Sequence, residues 1–165
     1  MITFEGKGIN LKTKQHKSNP KLYSQQVEST LKVGEASLVW NSNWERLNLI
    51  RNGIPFVAVE TISNQLNTLI KDLLNYLGIP QTTYNKKKRD KALFDQRDSE
   101  TILLLQELID FGVNVFNGEE EKFQNWLKSP SIALGGVAPE SLFDTNTGIE
   151  EVRKELTRIE YGIFA

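Results

Sequence analysis

Between Leu66 and Leu77, and again between Ile102 and Val113, apolar residues return at every third or fourth position. That spacing lays them along one face of an α-helix, and helices with such faces fold by packing on one another. An all-α architecture is the expectation. The first stretch gathers Leu69, Ile70, Leu73, Leu74 and Leu77, then meets Gly78, a residue type suited to a left-handed helix stop. The second gathers Ile102, Leu103, Leu105, Leu108, Ile109 and Val113 and stops near Asn114 to Asn117.

Around these two stretches the chain divides into three parts. Residues 1–43 are polar at first, with Lys7, Lys12, Lys14, Lys17 and Lys21, and read as a basic, partly flexible N-terminal arm. Such an arm is either a plain tail or a grip on a nucleic-acid backbone. Residues 44–95 form a small helical domain. Asn43 is placed to cap a helix carrying Trp44, Leu47 and Ile50 inward as far as Asn52-Gly53, and Pro55 suits a first helical turn. Val57, Val59, Thr61 and Ile62 alternate enough to suggest a strand. Residues 96–165, after the polar joint Asp95 to Ser99, form a second small helical domain.

The residue inventory excludes much chemistry. Among 165 residues there is no cysteine and one histidine, His16, in a Lys-rich stretch. Disulfides, thiolate zinc sites, a Cys nucleophile and two-histidine motifs are therefore ruled out, and the commonest general base near neutral pH is nearly absent. Glu119, Glu120 and Glu121 are consecutive on a helix, so they point apart and favour the positive helix N-terminus rather than one metal ion. No enzyme, metal or cofactor is expected. No apolar run reaches the roughly 20 residues of a membrane span, and Met1 to Lys7 lacks a secretory apolar region. A cytoplasmic address, away from membranes, is the expectation.

The segment from Leu66 to Arg89 has the order of a helix-turn-helix: an apolar-faced helix, a short turn at Gly78, then a polar, basic helix opening after Pro80. In such a unit Gln81, Thr82, Thr83 and Asn85 face base edges, while Lys86, Lys87 and Arg89 meet phosphates. Two features leave a second reading open. Leu74 stands four residues before the glycine, where a small residue is more usual. Lys86 to Arg89 also suit a solvated helix C-terminus electrostatically.

Toward the C-terminus, Phe123, Trp126 and Leu127 form the inner face of a helix, and Trp126 is open to both a core and an interface reading. Gly135-Gly136 permits a turn that a β-carbon would strain, and Pro139 opens a short helix. Thr147 and Glu150 are spaced as a capping box for a last helix with Ile149, Val152, Leu156 and Ile159 inward. The chain closes on an apolar tail, Gly162 to Ala165, of a kind that docks onto something.

These residues carry a resemblance. Arg97 to Glu100, Trp126-Leu127, Pro130, Leu134-Gly135-Gly136, Pro139, Asp144-Thr145, Gly148, Val152 and Arg158-Ile159-Glu160-Tyr161-Gly162 resemble the toxin-binding domain of the Xre/MbcA/ParS antitoxins, partners of RES-domain toxins. Gly53-Ile54-Pro55 and Leu77-Gly78-Ile79 to Arg89 resemble, more loosely, the Xre-type DNA-binding domain. The resemblance implies a type II toxin–antitoxin module whose RES toxin consumes NAD. It implies an antitoxin that acts by occlusion, with Arg158, Glu160, Tyr161, Gly162, Phe164, Ala165 and Trp126 at or near the toxin.

Charge fits two partners. Residues 1–97 carry 15 Lys/Arg against 8 Asp/Glu, a net of +7, and residues 98–165 carry 5 against 13, a net of −8. A polyanion such as operator DNA suits the first, and the basic mouth of a dinucleotide-binding enzyme suits the second. Small domains bury their apolar surface better as dimers, so a homodimer is expected, with Ile102 and Leu105 as candidate contacts. Two other readings stay open: a free-standing transcription regulator whose acidic half binds an effector or partner, and an interaction module with a decayed DNA-binding domain.

Overall fold

A computed structural model describes residues 28–162. It begins with a β-hairpin where an arm was expected. Strands β1 (Ser29–Val33) and β2 (Ala36–Trp40) pair antiparallel, Ser29 opposite Trp40 and Val33 opposite Ala36. Gly34, at φ +67°, is the first of the two turn residues, the place where a tight hairpin turn favours glycine. Ser29, Leu31 and Trp40 are buried, so residues 28–43 belong to the folded body. The remainder of the expected arm, 1–27, lies outside the described residues.

Among the described residues seven helices follow: α1 (Asn43–Asn52), α2 (Val57–Gln65), α3 (Ile70–Tyr76), α4 (Gln81–Asp90), α5 (Gln96–Val115), α6 (Glu120–Lys128) and α7 (Asn146–Glu160). Two 3-10 turns, Ile132–Leu134 and Pro139–Leu142, connect the last two. The helical architecture is as expected, with the hairpin added.

The strand expected at Val57 to Ile62 is helix α2. Ala58, Val59, Ile62 and Ser63 are buried, a helical face that tertiary packing imposes over the β-preference of valine and threonine. Thr61 Oγ1 donates to the Lys32 carbonyl (2.7 Å), joining α2 to the hairpin. Helix α1 is capped by Ser42, whose Oγ accepts from the Glu45 amide (3.2 Å), so Asn43 is the first helical residue and not the cap. Trp44 is 65% exposed; Trp40 fills the core instead. Leu69 likewise faces water, 73% exposed, because the chain there is extended ahead of α3. Pro55 precedes α2 and bridges to Leu93.

Helix α5 is the axis of the molecule. Ile102, Leu103, Leu105, Gln106, Leu108 and Ile109 are all buried, covering more than one face. The helix packs against α1, α2 and β1 as well as α6 and α7. One continuous core results. The expected boundary at 95/96 falls at the Asp95 cap of α5 and not between two cores. Ile102 and Leu105 are fully buried within the chain, so they cannot serve as dimer contacts.

The hairpin is pinned to this axis by polar contacts. Trp40 Nε1 donates to Glu107 (2.6 Å), a carboxylate that Arg46 of α1 also pairs with (3.1 Å), and the Thr30 amide donates to Asp110 (3.2 Å). At the other end, the Ile54 amide donates to Ser99 Oγ (3.0 Å) and the Phe94 amide to the Ile54 carbonyl (2.8 Å). Burying Ser99 among apolar residues is tolerable because its hydroxyl is used.

Candidate DNA and partner interfaces

The first candidate surface is α4. It follows α3 after a four-residue turn, Leu77 to Pro80, in which Gly78 sits at φ +65° and the Ile79 amide donates to the Leu74 carbonyl (2.9 Å). Leu73, Leu74, Leu77 and Ile79 are buried under this turn, so the large side chain at 74 is accommodated in the core. Pro80 fits the start of α4, where no helical amide is needed.

Tyr84 orients α4. Its ring is buried, and its hydroxyl donates to Glu60 on α2 (2.9 Å). Lys88 pairs with the same carboxylate (2.7 Å) and lies over the Tyr84 ring, 5.9 Å from its centroid. Lys88 holds Glu60 below its ordinary carboxylate range, while burial and the neighbouring Glu60 raise Tyr84. With that face fixed inward, Gln81, Thr82, Asn85, Lys86 and Arg89 are exposed, and Thr83 and Lys87 are half-buried on the inward side of the helix. At 3.6 residues per turn the five exposed side chains fall within about 140° of the helix circumference. All seven residues expected to face DNA thus lie on one helix, five of them on one open stripe.

Two contacts shape this stripe. Gln81 Nε2 donates to Asn85 Oδ1 (3.1 Å), which aligns two amides one turn apart. Arg89 pairs with Asp90 (2.8 Å), and its guanidinium holds the Asp90 carboxyl low. Lys88, third in the basic run, is committed to Glu60; its role was not evident in the sequence, where nothing brings residues 60 and 88 together.

The second candidate surface is the end of α7. The helix is capped by Thr145, whose Oγ1 accepts from the Gly148 amide (3.0 Å), so the Thr147 capping box does not form. Ile149, Val152 and Leu156 are buried against the core as expected. Arg158 is exposed and pairs with Glu155 one turn back (2.9 Å), and Glu160, Tyr161 and Gly162 are exposed at the last turn. Phe164 and Ala165 lie outside the described residues. Trp126 stands on α6, half-buried and stacked on Phe123 at 6.2 Å with Phe116 5.9 Å away. It is part of an aromatic cluster between α5 and α6.

Between these helices runs a loop that the sequence marked only by its glycines. Gly135 and Gly136, at φ +79° and +80°, turn the chain as expected, and Ile132 beside them is 95% exposed. Among the described residues no group of carboxylates or histidines is arranged to hold a metal ion, and no helix is long and apolar enough to cross a membrane.

Comparison with known proteins gives two matches, which meet within α5. Residues 45–107 match the antitoxin Xre-like helix-turn-helix domain, and residues 112–162 match the antitoxin Xre/MbcA/ParS C-terminal toxin-binding domain. The helix-turn-helix match runs from α1 well into α5, and the second match takes in the end of α5, α6 and α7. An "Antitoxin Xre" of Photorhabdus laumondii is 35% identical over 124 residues, covering 74% of this chain and 84% of its own. An "Antitoxin Xre" of Yersinia enterocolitica is 28% identical over 116 residues, covering 70% and 78%. A "Prs ADP-ribosylating antitoxin" of Sphingobium sp. is 30% identical over 129 residues, covering 73% and 81%.

Proposed function

The chain belongs to the Xre antitoxin family, and on that premise we propose that it silences an NAD-consuming RES-domain toxin by binding it and covering its active site. The observation that carries this reading is the coincidence of two features in one segment. Residues 112–162 match a toxin-binding domain, and they sit in the half of the chain whose net charge is −8, from 5 Lys/Arg against 13 Asp/Glu over residues 98–165. An enzyme that grips an anionic dinucleotide needs a basic mouth, and an acidic plug is its electrostatic complement. The relative named for ADP-ribosylation supports the choice of partner, since that chemistry spends NAD.

In this reading the chain has no catalytic task. Arg158, Glu160, Tyr161 and Gly162 meet the toxin at the end of α7, and Phe164 and Ala165 extend that contact. The second task, repression of its own operon, falls to α4. Its stripe of Gln81, Thr82, Asn85, Lys86 and Arg89 enters a major groove, while Thr83 and Lys87, on the inward side of the helix, stand farther from it. A cytoplasmic homodimer would bring two such helices to a palindromic operator, its contact made outside the buried positions 102 and 105.

The test is expression in cells of a RES-domain toxin, with and without this chain. The expected result is arrest and loss of NAD with the toxin alone, and normal growth and NAD with both. Equal loss of NAD in the two cultures would overturn the proposal.

A further inference from the structure

The described residues of the segment matched to the toxin-binding domain expose three large hydrophobic side chains: Ile132, Val137 and Tyr161. Two of them share one loop. Ile132 is 95% exposed and Val137 41%. An isoleucine left in water forgoes the stabilisation that burying its side chain would bring, so Ile132, at the tip of a fixed loop, has burial energy to gain from a partner surface.

The loop is fixed by its own hydrogen bonds. The Ser131 amide donates to the Val137 carbonyl (3.0 Å), and the Gly136 amide returns a bond to the Ser131 carbonyl (2.8 Å), closing the neck. Within it the Gly135 amide donates to the Ile132 carbonyl (3.0 Å). Leu134 turns inward and packs on the core, so Ile132 is held outward. Every residue from Ile132 to Val137 is uncharged.

We propose that Ile132, with Val137 beside it, is the apolar anchor by which the chain seats on its toxin, inserting into an apolar recess of the toxin surface. The inference rests on the toxin-binding reading above and adds a contact remote in sequence from the α7 terminus. The occupant is the toxin because the loop lies within the toxin-binding match, outside the helix-turn-helix match. An uncharged loop offers nothing to DNA phosphates, whereas the centres of protein interfaces are poor in charge and rest on a few large apolar anchors. Its preset geometry also spares the ordering cost of binding.

The test uses the full chain carrying Ile132→Asp or Ile132→Ser, titrated calorimetrically into the RES-domain toxin, with melting temperature measured alongside. The expected result is at least tenfold weaker binding for Ile132→Asp and several-fold weaker for Ile132→Ser, both melting as the unaltered chain does. Binding within twofold of the unaltered chain for both variants overturns the inference while leaving the toxin-binding reading in place. Loss of self-association in place of toxin affinity also overturns it, by assigning the loop to a second copy. An unaltered chain that does not bind the toxin removes the reading and this inference together.

Discussion

Gly148 is the residue whose identity the structure constrains most tightly. A β-carbon built there overlaps the Leu142 carbonyl oxygen, a backbone atom with no freedom to swing aside. Gly148→Ala is expected to cost about 2 kcal/mol or more, as overpacking does, and to lower the melting temperature by roughly 5 °C. Thr145 and not Thr147 caps α7, which places Gly148 in the first turn, against the Leu142 carbonyl. Spacing alone favoured Thr147, because the tertiary contact is invisible to it. Glu60 carries a prediction in pH. Its carboxyl is held below the ordinary value by Lys88, so the stability it contributes is present above about pH 4.5 and is lost as pH falls through the folded-state value. Glu60→Gln keeps an acceptor for Tyr84 but loses the ion pair. Because that pair is partly exposed, the cost at pH 7 is small, roughly 0.5–1 kcal/mol, and the acid limb of stability against pH flattens. Denaturant titrations from pH 7 to pH 3 would show it.

Helix α4 was legible because its signals are local: a glycine stop, a proline restart and a polar run bounded by Tyr84. Its five-residue stripe predicts a divided response. Lys86→Ala with Arg89→Ala should weaken binding to all DNA sequences and make the salt slope shallower by about 0.9 for each phosphate no longer neutralised. Asn85→Ala should instead blur the preference among sequences. Helical content should stay unchanged in both, as read by circular dichroism, since none of the three side chains is buried. An unaltered salt slope would remove phosphate contact from α4. The hairpin was missed for a different reason. Leu31 to Val33 and Ser37 to Trp40 do alternate about Gly34-Glu35, but each strand is only five residues long and adjoins a Lys-rich segment. It is tied down by Trp40 and Thr30 reaching Glu107 and Asp110 on α5, contacts across more than sixty positions of sequence. Helix α2 was misread in the same way, since burial against the hairpin and α5 outweighs the β-branched residues it contains.

At the scale of the molecule, the described residues share one continuous core, with α5 as the element common to both matched domains. The α4 stripe proposed for DNA and the end of α7 proposed for the toxin are therefore held by one body and not by two tethered ones. The family resemblance and the charge division were legible in the sequence; the shared core was not, because the polar joint at Asp95 to Ser99 looks like a linker until Ser99 is seen buried beneath Ile54. Removing Tyr161 to Ala165 takes away no described core side chain, since Tyr161 is 71% exposed and Gly162 is also open to water. The shortened chain should melt within about 2 °C of the full chain, a change worth under roughly 1 kcal/mol. It should nevertheless bind the toxin at least tenfold more weakly, as titration would show. The central claim is neutralisation by occupation of the toxin, and the most direct measurement is NAD consumption by purified RES-domain toxin as this chain is added. The account predicts a linear fall to zero at a fixed molar ratio, with the two proteins eluting together. Undiminished NAD consumption in the presence of excess chain would contradict it.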